Sequence, residues 1–305
     1  MSVAEAGSPL INRRYLVLDV LGRGGMGRVF RAFDRVSERV VAIKTPHDGR
    51  SAGPGHPMVE EYRVWSALTH PNIVRTLDLD RARRGPLPRD TPFLVLERTR
   101  GAPVHRVLAP GRTGYRSLRA FARGALEALV HVHATDVVHR DLKPGNLLVT
   151  RDRRTGLRVQ LTDFGLAVTR GSREEPGCIS GSLPYVAPES ILGGTVDGRT
   201  DLYGLGVLLC FLSTGRLPFD GTEPEEVLRW HLDGTTPDPC ATRPDLPASW
   251  GRFVRRLAER APGDRPRSAR RALAMLGCDP EPRRRRPPRT AEIATLRLAI
   301  DAVRL

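Results

Sequence analysis

Apolar positions recur along the chain with two different periods, and the change falls near Ser117. Before it, "YLVLDVLG", "GRVFRAF", "RVVAIKT", "IVRTLDL" and "FLVLE" are short runs rich in β-branched and aromatic residues, each bounded by glycine, proline or charge. That combination predicts strands. After it, "LRAFARGALEALVHVH" sets Leu118, Phe121, Ala125, Leu129 and Val132 on one face of a helix, and "PEEVLRWHL" and "WGRFVRRLAE" keep the same period. "LYGLGVLLCFL", Leu202 to Leu212, is apolar on every side. It is too short to cross a bilayer, for which about 20 residues are needed, and predicts a buried helix. The order is a small β-rich lobe followed by a larger helical one. The Pro/Arg stretch "DPEPRRRRPPR" then cannot continue a helix, and the residues after it carry Ile293, Leu296, Ile300 and Val303 on one helical face. The expected divisions are an extension over 1–12, one two-lobed domain over 13–278 with lobes 13–96 and 97–278, a basic linker over 279–290 and an amphipathic helix over 291–305.

Charge adds a second pattern. Of 49 basic residues only two, Lys44 and Lys143, are lysine. The formal net charge of +15 favours anionic partners, but the arginines are scattered, and scatter makes a solvated surface more often than a groove. Only Arg283–Arg286 form a cluster, so a nucleic acid or another anionic surface would be met there as an accessory contact. With aromatic residues at 5% of the chain, no stacking platform for bases is apparent. Cys178, Cys210, Cys240 and Cys278 stand far apart, without the spacing of a zinc site or a disulfide framework, and are expected to be reduced thiols. "MSVAEAGSPLINRR" lacks a basic start followed by an apolar stretch, so no secretory signal is read and the cytoplasm is the expected setting.

Both lysines fall in segments that carry phosphate chemistry. "LGRGGMGRVF" supplies Gly22, Gly24 and Gly27 between two predicted strands, where side-chain-free backbone can approach phosphates; a plain hairpin turn is the alternative reading. The next segment is a strand and not a helix. That argues against a dinucleotide fold and fits a flap over a nucleotide, with Lys44 on the following strand. "HRDLKPGN" sets Asp141, Lys143 and Asn146 within six residues, and "LTDFG" adds Asp163. A carboxylate for a hydroxyl, a cation for a moving phosphoryl group and hard oxygen ligands that suit Mg²⁺ are what phosphoryl transfer brings to one place.

"GRGGMGRV", "VAIK", "HRDLKPGN", "DFG" and "APE", in that order, resemble a eukaryotic-like, bacterial-type serine/threonine protein kinase, over roughly Arg13 to Cys278. The resemblance implies an α+β, bilobal protein-kinase-like fold and an enzyme that transfers the γ-phosphate of ATP to protein serine and threonine hydroxyls, its own included. It implies that Lys44 holds the α- and β-phosphates and pairs with a glutamate on the next helix, Glu61 by spacing or else Glu60. Asp141 would be the catalytic base, Lys143 would steady the γ-phosphate, and Asn146 and Asp163 would hold Mg²⁺, with Mn²⁺ as a substitute. Val29, Ala42 and Leu148 would enclose adenine, with Leu96 as gatekeeper and Glu97 at the start of the hinge. The partner would be a protein substrate, and a homodimer stays open.

Three alternatives stand beside this reading: an inactive or weak kinase-fold scaffold, a small-molecule kinase, and a nucleic-acid-binding protein. The four residues whose loss marks an inactive relative, Lys44, Asp141, Asn146 and Asp163, are all present, and Asp163 to Glu189 is long enough to receive a peptide. Some positions depart from the family's pattern. Arg140 implies control by a phosphate on the following segment, whose hydroxyls are Thr169, Ser172, Ser180 and Ser182. Glu174 or Glu175 would supply that negative charge, or both are solvated acids. Trp65, where a smaller aliphatic residue is usual, would either lock its helix inward or obstruct it. Arg265 is the expected buried partner of Glu189.

Overall fold

A computed structural model describes residues 10–24, 27–46, 56–152, 156–174, 180–219, 223–236 and 238–277. The linker, the last amphipathic stretch, Arg283–Arg286, Glu175, Cys178 and Cys278 lie outside the described residues.

Six strands form one antiparallel sheet: β1 (Leu10–Ile11), β2 (Tyr15–Gly24), β3 (Gly27–Asp34), β4 (Arg39–Thr45), β5 (Thr76–Arg81) and β6 (Pro92–Glu97). Their order is β1-β2-β3-β4-β6-β5. Ile11, within the stretch read as an extension, is fully buried beside Tyr15, Ala32, Val41, Ile43 and Phe93. The pleat sends alternate side chains to opposite faces, which is why the apolar half of "RVVAIKT" closes this core. The β2–β3 hairpin closes at Gly27, whose φ is +137° and where a Cβ would lie 1.8 Å from the Thr45 carbonyl oxygen, so only glycine fits. Helix α1 (Pro57–Ser66) covers the sheet, capped by His56, whose Nδ1 accepts from the Met58 N–H. "IVRTLDL" extends only from Thr76. Its first residues, Ile73 and Val74, are buried and bridge instead to Leu161.

The rest is mainly helical: α2 (Val104–Val107), α3 (Tyr115–Ala134), α4 (Pro188–Ile191), α5 (Gly198–Thr214), α6 (Pro224–Asp233), α7 (Pro239–Thr242), α8 (Ala248–Leu257) and α9 (Ala269–Gly277). The five residues assigned to the inner face of α3 are all buried. Helix α5 is the hub: Leu202, Leu205, Val207, Leu208 and Leu209 have no exposed surface, as its all-round apolarity requires. A capping box at Asp197 and Thr200 fixes its start, and Gly215 at φ 79° ends it. Short strands β7 (Ala102–Pro103), β8 (Val137–Val138), β9 (Leu147–Asp152), β10 (Gly156–Leu161) and β11 (Val168–Thr169) carry the loops between the two parts. The parts are tied where the Val74 N–H donates to the Leu161 carbonyl (2.9 Å) and the Leu161 N–H to that of Asn72 (2.8 Å). Among the described residues no helix is long and apolar enough to cross a membrane.

Candidate active site

A cavity of about 350 Å³ opens between the sheet and the helical part. Gly22, Val29, Ala42, Lys44, Leu96, Glu97, Asn146, Leu148 and Asp163 line it. These nine of the candidate site residues thus meet at one surface, although they are drawn from five strands and two loops, and Trp65 on α1 joins the same lining. Glu97 is held by a relay that the sequence did not announce: Gln160 Nε2 donates to its Oε1 at 3.0 Å, and Thr99 Oγ1 donates to Gln160 Oε1 at 2.7 Å. Gly24, Gly27, Glu61, Asp141 and Lys143 stand outside the lining. Cβ atoms added at Gly22 or Gly24 would meet nothing within 4 Å, in contrast to Gly27. The hairpin therefore accounts for one of the three glycines, and the chain's own packing does not account for the other two.

Lys44 is 5% exposed on β4. Its Nζ donates to Glu61 Oε1 and to Asp163 Oδ1, each at 2.6 Å, the second contact bridging 119 residues of sequence. Glu60 instead meets Arg63 on the surface at 3.0 Å, because neighbouring residues of a helix face about 100° apart. Burial would lower the Lys44 pKa, but the two carboxylates outweigh it and the net direction is up. For Asp163, burial acts upward and is overcome by Lys44, leaving its carboxyl below the ordinary range. Glu61, sharing one cation with a second acid, is raised by its burial. Asp163 also sits at φ 69°, in the left-handed region that costs a non-glycine residue about 1 kcal/mol or more.

Asp141, 2% exposed, lies opposite in a second cluster. Its Oδ2 accepts from Lys143 Nζ at 2.6 Å and from Asn146 Nδ2 at 2.9 Å, and its Oδ1 accepts from Ser182 Oγ at 2.8 Å. Asn146 Nδ2 also donates to the Asp141 carbonyl at 2.9 Å, so the amide oxygen is the atom left for a ligand. The loop is anchored from below by Asp201 on α5, which is 1% exposed. Its carboxylate accepts from the N–H groups of His139 (2.9 Å) and Arg140 (2.8 Å) and from His133 Nε2 (2.8 Å). Burial pushes Asp201 upward, but the His133 hydrogen bond leads a set of contacts that bring it down. Asp201 was missed in the sequence. Its one visible signal is an acid at the start of an otherwise apolar helix.

Trp65 is fully buried; its Nε1 donates to the Val74 carbonyl at 2.6 Å. Its ring lies 5.2 Å from that of Phe164, which in turn lies 4.8 Å from His139. The indole therefore does not obstruct: it joins α1 to the strand entry and to the Asp163 segment while the Lys44–Glu61 pair is closed. Beyond that segment, Arg140 Nη1 pairs with Glu174 Oε1, and Arg140 Nε donates to the Leu166 carbonyl at 2.6 Å. Glu174 is only 7% exposed, which removes it from the class of solvated acids. Its N–H donates to the Gly194 carbonyl at 3.2 Å, so the segment is also tied through its backbone.

Comparison with protein families matches residues 15–275 to the protein kinase domain. The chain is similar to the DNA damage-responsive serine/threonine-protein kinase RqkA of Deinococcus radiodurans: 36% identity over 275 residues, covering 88% of this chain and 39% of the relative. It is 34% identical over 288 residues to serine/threonine-protein kinase pkn3 of Myxococcus xanthus, covering 89% of this chain and 51% of that one. With serine/threonine-protein kinase PksC of Streptomyces coelicolor it shares 35% over 271 residues, covering 85% and 48%. The chain thus spans about half the length, or less, of these curated relatives.

Proposed function

The chain belongs to the protein kinase domain family, and from that premise we propose that it transfers the γ-phosphoryl group of ATP to serine and threonine hydroxyls of proteins, its own included, in the cytoplasm. The observation that carries the reading is the pair of short contacts from Lys44 Nζ to Glu61 and Asp163, at 2.6 Å each. They leave one ammonium between the helix, the cavity and a carboxylate able to hold a metal ion.

In this reading Val29, Ala42 and Leu148 enclose the adenine of ATP, with Leu96 behind it and the Glu97 backbone at its polar edge. Gly22, Gly24 and Gly27 bring main-chain N–H groups to the phosphates, and the open space beside the first two fits that approach. Lys44, oriented by Glu61, holds the α- and β-phosphates. Asp163 and the Asn146 side-chain oxygen, a hard donor pair, fit Mg²⁺, with Mn²⁺ able to replace it. The metal ion, when bound, neutralises charge on the phosphates. Asp141 orients the acceptor hydroxyl and takes its proton, and Lys143, 2.6 Å from the same carboxylate, steadies the departing phosphoryl group. Little covalent work is left to the protein, so its contribution is positioning and electrostatics.

The test is intact-mass analysis of the full chain incubated with ATP and Mg²⁺ beside Asp141→Asn, with nucleotide affinity measured for both. Phosphate on the wild type only, with ATP bound by both, is the expected result. Affinity without transfer by the wild type would return the chain to the scaffold reading.

Glu174 gives Arg140 the negative partner that a phosphate would otherwise supply, so transfer should not need a phosphorylated segment. Removing one charge of a charge-assisted pair is expected to matter: Glu174→Gln should lower the initial rate about tenfold. The combined Thr169→Ala, Ser172→Ala and Ser180→Ala variant should stay within about twofold of wild type, since none of the three side chains is buried. Loss of transfer in that triple variant would assign control to a phosphate instead.

A further inference from the structure

Helix α6 reaches back toward the acceptor side of the site through one residue. His231 has no exposed surface, and both of its ring nitrogens are engaged. Nε2 lies 2.9 Å from the Leu183 carbonyl oxygen and Nδ1 lies 2.8 Å from the Tyr203 hydroxyl. A carbonyl only accepts, so Nε2 carries the proton and Nδ1 accepts from Tyr203. The imidazole is thereby held as one neutral tautomer. Its neighbours, the rings of Trp230, Tyr203 and Phe219, lie at 5.1, 5.6 and 5.8 Å. Burial among them brings its pKa down to about 4, which keeps it neutral near pH 7.

The two partners of this ring lead to different places. Tyr203 is fully buried on α5, under the Arg265 guanidinium 4.8 Å over its ring, and is part of the fixed interior. Leu183 opens the turn Leu183–Tyr185, and the residue before it, Ser182, donates to Asp141 Oδ1 at 2.8 Å. The carbonyl that His231 grips and the hydroxyl that touches Asp141 therefore belong to consecutive residues. Without His231 that carbonyl would keep, among the described residues, only a long contact from the Val186 N–H at 3.4 Å.

We propose that His231 is a positioning residue for the protein acceptor: its hydrogen bond to Leu183 sets the Ser182–Tyr185 turn, and with it Ser182 at Asp141, to receive the hydroxyl-bearing segment. This rests on the kinase reading above. His231 touches neither the nucleotide cavity nor Asp141 and acts through Leu183. Its effect therefore falls on acceptor affinity and not on ATP.

The test uses the full chain, with dephosphorylated casein as acceptor. His231→Phe keeps a ring of similar size and removes both hydrogen bonds, whereas His231→Gln returns an N–H donor near the place of Nε2. For His231→Phe the casein KM should rise about tenfold, the upper end of what one neutral hydrogen bond contributes. The ATP KM should stay within about twofold, and His231→Gln should recover most of the loss, as a retained donor requires. Equal loss in both variants, or a raised ATP KM with casein KM unchanged, would overturn the proposal. Amide hydrogen exchange at Leu183, Tyr185 and Val186 gives an arm independent of transfer. Faster exchange in His231→Phe but not in His231→Gln supports the proposal, and unchanged exchange in His231→Phe overturns it. A wild type that phosphorylates neither casein nor itself would refute the kinase reading, and the exchange arm would still decide the His231 contact.

Discussion

Lys44→Arg should reduce phosphate transfer about 100-fold while leaving the charge of the site and the fold unchanged. The cavity wall explains why a conservative exchange has so large an effect. Lys44 is 5% exposed, and its ammonium fits between two carboxylates on separate elements, 2.6 Å from each. An ammonium is a compact point charge with three rotatable donors, whereas guanidinium is a wide planar fork. Accommodating the fork displaces Glu61, Asp163 or both. A displacement of about 1 Å in a positioned site costs on the order of 100-fold in rate. The chain writes its positive charge as arginine everywhere except Lys44 and Lys143, a pattern that fits a demand for the more compact cation at both sites. Initial rates and ATP affinity for the variant decide the matter. Transfer within about threefold of wild type would mean that charge alone, without its shape, is what the position supplies.

Arg265→Ala should destabilise the protein by about 3–5 kcal/mol, the range for removing one partner of a buried ion pair. The Arg265 side chain has no exposed surface, and all of its N–H donors are engaged. Nη1 donates to Glu189 Oε1 (2.7 Å) and the Arg199 carbonyl (2.9 Å), while Nη2 donates to Glu189 Oε2 (2.9 Å) and the Arg260 carbonyl (2.7 Å). Nε donates to the Glu259 carbonyl at 2.6 Å. Truncation would leave Glu189, 8% exposed, with Thr200 Oγ1 at 2.9 Å as its remaining side-chain donor among the described residues, and would strip three carbonyls of a partner. At about 2–4 °C per kcal/mol for a domain of this size, the melting temperature should fall by roughly 6–20 °C. Glu189→Ala in the same background should recover part of the loss, because it removes the stranded charge. A single-variant cost under about 1 kcal/mol would show that water reaches the pair and carries its charge. Tyr203 beneath the guanidinium also contacts His231, so this network and the acceptor turn share a wall.

The two periods of the apolar pattern were legible because each strand or helix buries one side of itself whatever it packs against. "RVVAIKT" is β4 to the residue, and the inner face of α3 is as read. Boundaries shifted where a long-range contact intervened. Ile73 and Val74 read as strand but are captured by Leu161, a partner 87 or more residues away that no local pattern can reveal. Spacing set Glu61 ahead of Glu60, and the direction in which α1 lies on the sheet decided between them. Trp65 was ambiguous for the same reason: whether a bulky ring locks or blocks depends on the space above Phe164, and the Val74 carbonyl turns out to receive its N–H.

By itself the sequence determined the order of the two lobes and the candidate residues for phosphoryl transfer, because spacing along a strand or tight loop fixes which neighbouring side chains can act together. Tertiary structure alone decided which distant groups meet. Lys44 and Asp163 close a gap of 119 residues, Arg140 selects Glu174, Asp201 holds the Asp141 loop from below, and His231 grips Leu183 from another helix. Each of these is a hydrogen bond or ion pair effective over about 3 Å, and such a contact exists only once the core has folded and brought its ends together.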